Sequence, residues 1–132
     1  MKKLLLISLL LLIACSQIRY VEINDVKIPV EIAITQQEKE KGLISRTNLT
    51  GGMLFIYNDE AQRYFWMKDT LIPLDIIFIG SNNKITAIHH AVPCKTESCT
   101  IYPGFGKYVL EVNYNFTTKN NIKTGDNVTL IK

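Results

Sequence analysis

Histidine, tryptophan and cysteine are scarce in this chain: two, one and three among 132 residues. His89 and His90 are neighbours, and adjacent positions of a strand point to opposite faces, so at most one of them can join a given site. A histidine-rich metal centre is thereby excluded. There is no Gly-x-Ser-x-Gly elbow, no glycine-rich phosphate loop and no His-Glu-x-x-His helix, which removes the chemistries those motifs carry. No apolar run reaches the ~20 residues that a membrane-spanning helix needs. Lys and Arg do not cluster with interleaved aromatics, so a nucleic-acid partner is not expected. No repeat, low-complexity tract or long linker is present, and the length suits one domain. What the chain has in quantity is apolar residues, 47% of the total, enough to build a core.

The first residues must be set apart from that core. Met1-Lys2-Lys3 precedes an eleven-residue run, Leu4 to Ala14, whose one polar residue is Ser8. A basic start and a short apolar run form a signal peptide, and no helical period gives the run a polar face. Leu12-Ile13-Ala14-Cys15 resembles the lipobox of bacterial lipoproteins, in which the cysteine is acylated and the chain is cut before it. The expectation is a signal peptide over 1–14, a lipid-bearing Cys15 with a short tether over 15–18, and one β-rich domain over 19–132. More than one acyl chain gives stable anchoring. The partner implied is a membrane, on its extracytoplasmic side. Ser16 rather than Asp follows the cysteine, which favours the outer membrane in a Gram-negative organism. Loss of Lys2 and Lys3 leaves 13 basic against 12 acidic residues, so the mature chain is nearly neutral. Lipidation of Cys15 leaves Cys94 and Cys99. In an oxidising compartment this pair is expected to form a disulfide, with free thiols or half of a metal site as alternatives.

The rest reads as short strands between turns. Arg19 to Ile23 and Val26 to Ile34 flank Asn24-Asp25, a hairpin turn that would pair Ile23 with Val26 and Val21 with Ile28. Pro29 cannot donate to a ladder and points to an edge strand. Thr35 and Glu38 form a capping box for a helix to about Lys41, ended by Gly42, with Leu43 tucked onto the sheet. Met53 to Tyr57 is strand-like, and Asn58-Asp59-Glu60 is expected to turn the chain into Arg63 to Met67. Asp75 to Ile79 is a strand covered on both faces. Gly80 to Asn83 turn into Ile85 to Val92, and Tyr108 to Asn113 and Val128 to Ile131 close the series. The fold class is mainly β: a small single-domain sandwich or partial barrel with one or two short helices.

Five blocks occur in order: Gly42-Leu43 with Arg46, Gly52-Met53-Leu54-Phe55, Phe65-Trp66-Met67-Lys68, Pro73-Leu74-Asp75-Ile76-Ile77-Phe78, and Tyr108-Val109-Leu110-Glu111-Val112. Together they resemble the domain-of-unknown-function 192 family, also called uncharacterised protein family 0127, from about Val26 to Ile131. Asp69 stands where that family usually has Asn, and Asn115 where a Gly often follows. The resemblance implies a small, mostly β, often exported domain and brings no established activity.

The candidate site is a pocket floored by Trp66 and rimmed by Lys68, Asp75 and Arg46, with Met53, Met67 and Glu111 close by. An aromatic floor with a few convergent polar groups suits sugars and other amphipathic ligands. The alternative for Asp75 and Asp69 is that their carboxylates accept loop N–H groups. A hydrolase would use Asp75 and Glu111 as an acid–base pair, with Lys68 as a further candidate, although Glu111 also suits an ion pair with Arg46 or Lys68. Met53, Met67 and one histidine have the chemistry of a cuprous site, but methionines in an apolar core are commonly packing. The reading is a lipid-anchored envelope domain that binds a glycan, a lipid headgroup or another envelope protein, with no cofactor, no metal and no catalysis. Glycan hydrolysis is the alternative, and copper binding a further one.

Overall fold

A computed structural model describes residues 17–132; the signal peptide and Cys15 lie outside the described residues. Seven strands form one sheet in the order β5-β4-β6-β3-β2-β1-β7, with β1 Tyr20–Ile23, β2 Val26–Ala33, β3 Gly52–Phe65, β4 Leu74–Ile79, β5 Ile85–Ala91, β6 Tyr102–Asn113 and β7 Val128–Ile131. Neighbours are antiparallel except β2 and β3. The sheet curls until its two ends meet beside β5 and β7, where Lys84 bridges Asn127 and the Val128 N–H donates to the Asn83 carbonyl. The result is a half-barrel, the partial-barrel form of the expected class.

Local chemistry explains most elements. Asn24 and Asp25 both take positive φ, 49° and 63°, as a two-residue hairpin turn requires. They set the register Ile23↔Val26 and Val21↔Ile28. Helix α1, Gln36–Lys41, has the full capping box: the Thr35 hydroxyl accepts from the Glu38 N–H, and Glu38 accepts from the Thr35 N–H. Gly42 ends it at φ 43°, and Leu43 is buried against the sheet. A second helix, α2 Phe116–Lys119, follows β6.

Strand β4 is buried at every position, because each face of the sheet there has its own core. Ile77 and Ile79 join Val21, Ile23, Leu54, Leu110 and Val112 inside the curl. Leu74, Ile76 and Phe78 join Met53, Phe55, Met67 and Val109 on the other face.

Two expectations are corrected. Pro29 is not on an edge strand, since β2 lies between β1 and β3. Its neighbours are staggered: β1 pairs with residues 26–29 and β3 with residues 30–33. The missing N–H thus falls where pairing passes from one neighbour to the other, a local edge within an interior strand. Asn58-Asp59-Glu60 do not turn the chain back. Strand β3 runs on to Phe65 through an irregularity between Ile56 and Ala61, and its second half pairs with residues 102–106 of β6. That distal ribbon folds over the face of β4: Gly104 lies directly on the Phe78 ring, where a side chain would collide. The Thr86 hydroxyl reaches the Phe105 carbonyl, and His89 Nε2 lies 2.6 Å from the Pro103 carbonyl.

Candidate functional site

The sequence offered two buried carboxylates, and the fold separates them. Asp75 of β4 is opposite Val112 of β6, whereas Glu111 is opposite Ile76. Strand alternation therefore puts Asp75 on the inner face, with Ile77 and Ile79, and Glu111 on the outer face, with Val109, Met53 and Phe55. An acid–base pair built from Asp75 and Glu111 is excluded by the thickness of the sheet.

Asp75 is fully buried and fully bonded. It accepts the N–H groups of Asn115 at 3.1 Å and Thr117 at 2.9 Å, the Thr117 hydroxyl at 2.6 Å, and faces His90 Nδ1 at 2.6 Å. It holds the start of α2 onto the sheet, the capping role weighed from sequence as the alternative to a pocket residue. Asn115 takes φ 66° there, and Asp69 takes φ 58° in its own turn. Both departures from the family pattern occupy left-handed positions that Asn and Asp tolerate. Asp69 acts through its backbone, donating to the Cys94 carbonyl and accepting from the Ser45 N–H.

Glu111 is the opposite case. It is 5% exposed, and burial alone pushes its carboxyl up to about 8, with no hydrogen bond or charge offsetting that shift. At neutral pH the protonated form is favoured, and the side chain has no hydrogen-bond partner among the described residues. It lies at the inner end of a cleft of about 50 Å3 whose walls include Phe55, Trp66, Lys68, Thr70 and the end of α1 from Lys39 to Gly42. A second cleft of about 190 Å3 shares Lys39, Glu40, Phe65 and Trp66 with the first and adds Gln36, Tyr57 and Tyr64. Sharing those four residues, the two clefts lie side by side as a trough between α1 and the second half of β3, with Glu111 lining the smaller one.

Three of the seven residues expected in the pocket come together: Trp66, Lys68 and Glu111. Trp66 is half exposed, so it forms a wall and not the floor. Lys68 binds both oxygens of Glu97 at 2.9 Å and stands 5.5 Å from the Trp66 ring centre; that carboxylate raises its pKa. Arg46 leaves the site: it is paired with both oxygens of Glu31, at 2.8 and 2.9 Å. Glu111 therefore pairs with neither cation. Met53 and Met67 are core packing at 6% and 1% exposure. His89 is held against Pro103, Phe78 and Tyr102, and among the described residues no group of three His, Cys, Asp or Glu side chains is placed to hold a metal. Cys94 and Cys99 are joined in a disulfide, whose loop carries Glu97 and is bonded through Cys94 to Met67 and Asp69.

Sequence reading missed Lys39, Tyr57, Tyr64 and Phe65. Lys39 sits on a helix that looks like a solvated surface element. Its ammonium lies 4.0 Å from the Tyr57 ring centre, and Arg63 lies 3.8 Å from the same ring. Desolvation, and then the neighbouring Arg63, lower the Lys39 pKa. The signal in the sequence was the set of large aromatics, Tyr57, Tyr64, Phe65 and Trp66, on a segment too polar to be core.

Fold and cleft define a class: a small curled β domain with one occluded acid at the end of an aromatic trough. The match of a family model over residues 19–130, DUF192 or Uncharacterized ACR, makes the assignment particular: the chain belongs to the DUF192 family. Two solved structures are similar to it. One is a protein of unknown function from Novosphingobium aromaticivorans DSM 12444, 36% identical with a TM-score of 0.77, covering 89% of this chain and 88% of that one. The other is from Sinorhizobium meliloti 1021 and is described as a proposed transcription regulator; it is 33% identical with a TM-score of 0.73, covering 80% of this chain and 83% of that one. Comparison with curated proteins gives no match.

Proposed function

We propose that this protein is a lipid-anchored domain of the bacterial envelope, attached through Cys15, and that it works by binding a ligand in the trough beside Trp66 rather than by catalysis. The observation that carries the reading is the placing of exposed aromatics. Trp66 and Tyr64 are 50% and 69% exposed, and both line a cleft that shares Lys39, Glu40, Phe65 and Trp66 with the one Glu111 lines. Aromatic walls with few convergent polar groups are the usual make-up of a small-ligand site. A binding role is favoured over hydrolysis because the carboxylate that would partner Glu111 is on the other face of the sheet and is saturated with hydrogen bonds. The regulator description of the Sinorhizobium relative is not carried over: the mature chain has 13 basic and 12 acidic residues and lacks a basic stripe.

Binding of the purified protein to isolated envelope material, compared with a Trp66→Ala variant, tests the site. Loss of binding in a variant that keeps its thermal transition is expected, and unchanged binding would remove the trough from the proposal. Fractionation tests the anchor: Cys15→Ala is expected to move the protein from membranes to the soluble fraction.

A further inference from the structure

We propose that the ligand of this trough is an acidic saccharide, held by its ring on the trough aromatics, by its carboxylate at Lys39, and by a hydrogen bond from Glu111 at the closed end. This rests on the binding reading above and adds a chemical class to it. Three observations converge. First, the aromatic wall, Tyr57, Tyr64 and Trp66, is amphipathic and half wet. Such rings suit a ligand with C–H faces and hydroxyl edges, as a sugar has. A cleft of about 190 Å3 is small and accepts one ring rather than an extended apolar molecule.

Second, the charges along the trough favour an anion. From α1 come Lys39, Glu40 and Lys41, from the segment after β3 comes Lys68, and from β6 comes Glu111. Lys68 is neutralised by Glu97, and Glu40 accepts the Gln36 amide. Neither Lys39 nor Lys41 has an ion pair among the described residues. Lys39 has Arg63 across the Tyr57 ring, and the carboxylates of Asp59 and Glu38 act on it from nearby without pairing with it. An incoming carboxylate would give Lys39 the direct pairing partner it lacks among the described residues.

Third, Glu111 is 5% exposed, has no side-chain hydrogen bond among the described residues, and its carboxyl opens onto the inner end of the cleft. A carboxyl that no protein atom engages is free to bond a ligand oxygen at the closed end. While protonated it donates to a hydroxyl or carboxylate. Once ionised it repels an anion, and binding falls as pH rises through about 8.

The test is calorimetric titration of the full chain in detergent. The probes are an oligogalacturonate and a neutral galacto-oligosaccharide of equal length, at about pH 6 and about pH 9, either side of the Glu111 transition. The acidic oligomer is expected to bind roughly tenfold more tightly at the lower pH and to lose most of that advantage at the higher. Glu111→Gln, which stays neutral, should bind at the lower pH and lose its decline toward the higher. Lys39→Met should weaken the acidic oligomer roughly fivefold and leave the neutral one unchanged. Equal affinity for the two oligomers would overturn the acidic class, and a pH decline that survives in Glu111→Gln would overturn the role of that residue. If neither oligomer binds while Trp66→Ala still loses envelope binding, the saccharide is wrong and the trough stands. If Trp66→Ala binds the envelope like the native protein, the trough falls as well.

Discussion

Asp75 and Glu111 are near neighbours on adjacent strands, both buried and both carboxylic acids, yet on the two faces of the sheet they have opposite fates. On the inner face Asp75 accepts two backbone N–H groups and a hydroxyl and faces His90. On the outer face Glu111 has burial and no compensating bond. The inner face therefore uses its acid to build the fold. The outer face tolerates an acid whose ionised form burial disfavours. Sites that work against stability are where function is commonly found, and here that argument singles out one face of one sheet.

The comparison can be broken by exchanging what the two faces lose. Asp75→Ala should have the largest effect, a loss of about 3–5 kcal/mol, because it strands buried donors of Asn115 and Thr117. Urea unfolding measures it, and a loss below about 1 kcal/mol would show that α2 does not depend on this cap. Glu111→Gln should move stability the other way. The unfolded chain releases this proton near the ordinary value of 4.5, whereas the folded protein keeps it to about 8. The native state thus loses stability as pH climbs across that window. The full penalty is present above it and none remains below 4.5. The variant should gain roughly 2–4 kcal/mol at about pH 9 and nothing at about pH 4, read from denaturation at both; equal gains would mean that ionisation is not the cause.

Two smaller effects sharpen the contrast. Opening the Cys94–Cys99 bridge with a paired Cys→Ser variant should lower stability by about 2 kcal/mol, as closure of so short a loop implies. It should disturb the outer face, where Cys94 packs, and leave the Asp75 network intact, which amide exchange at Asn115 and Thr117 reports. Trp66→Ala should cost about 1–2 kcal/mol, less than a fully buried ring would, since half of it is already in water. A larger loss in a melting experiment would make Trp66 a structural residue.

Much of this was written locally in the chain. The Asn24-Asp25 turn, the Thr35–Glu38 capping box, the stop at Gly42 and the doubly covered strand from Asp75 depend on neighbours in sequence, and each formed where its pattern lay. The cysteine pair was legible for the same reason, being five positions apart. The family blocks added the extent of the domain. Less of the site could be read. Trp66, Lys68 and Glu111 stood out as residues of interest, but Arg46, Met53, Met67 and Asp75 stood out equally and were drawn elsewhere by partners remote in sequence: Glu31 for Arg46, the core for the methionines, Thr117 for Asp75.

Alternation alone fixed that Asp75 and Ile76 face opposite ways, and likewise Glu111 and Val112. Which faces are shared between strands is set by register, and the register of β4 against β6 arises from pairing across 29 to 39 positions. That pairing decided that the two acids never meet. The folding of the distal β3–β6 ribbon over β4, with α1 laid beside it, decided that one of them ends a trough. Sequence determined the elements and their inward stripes, because those follow from backbone geometry and from the transfer of apolar groups out of water. Tertiary structure decided which buried acid received partners, because hydrogen bonds need atoms within about 3 Å, and only the closed fold brings them there.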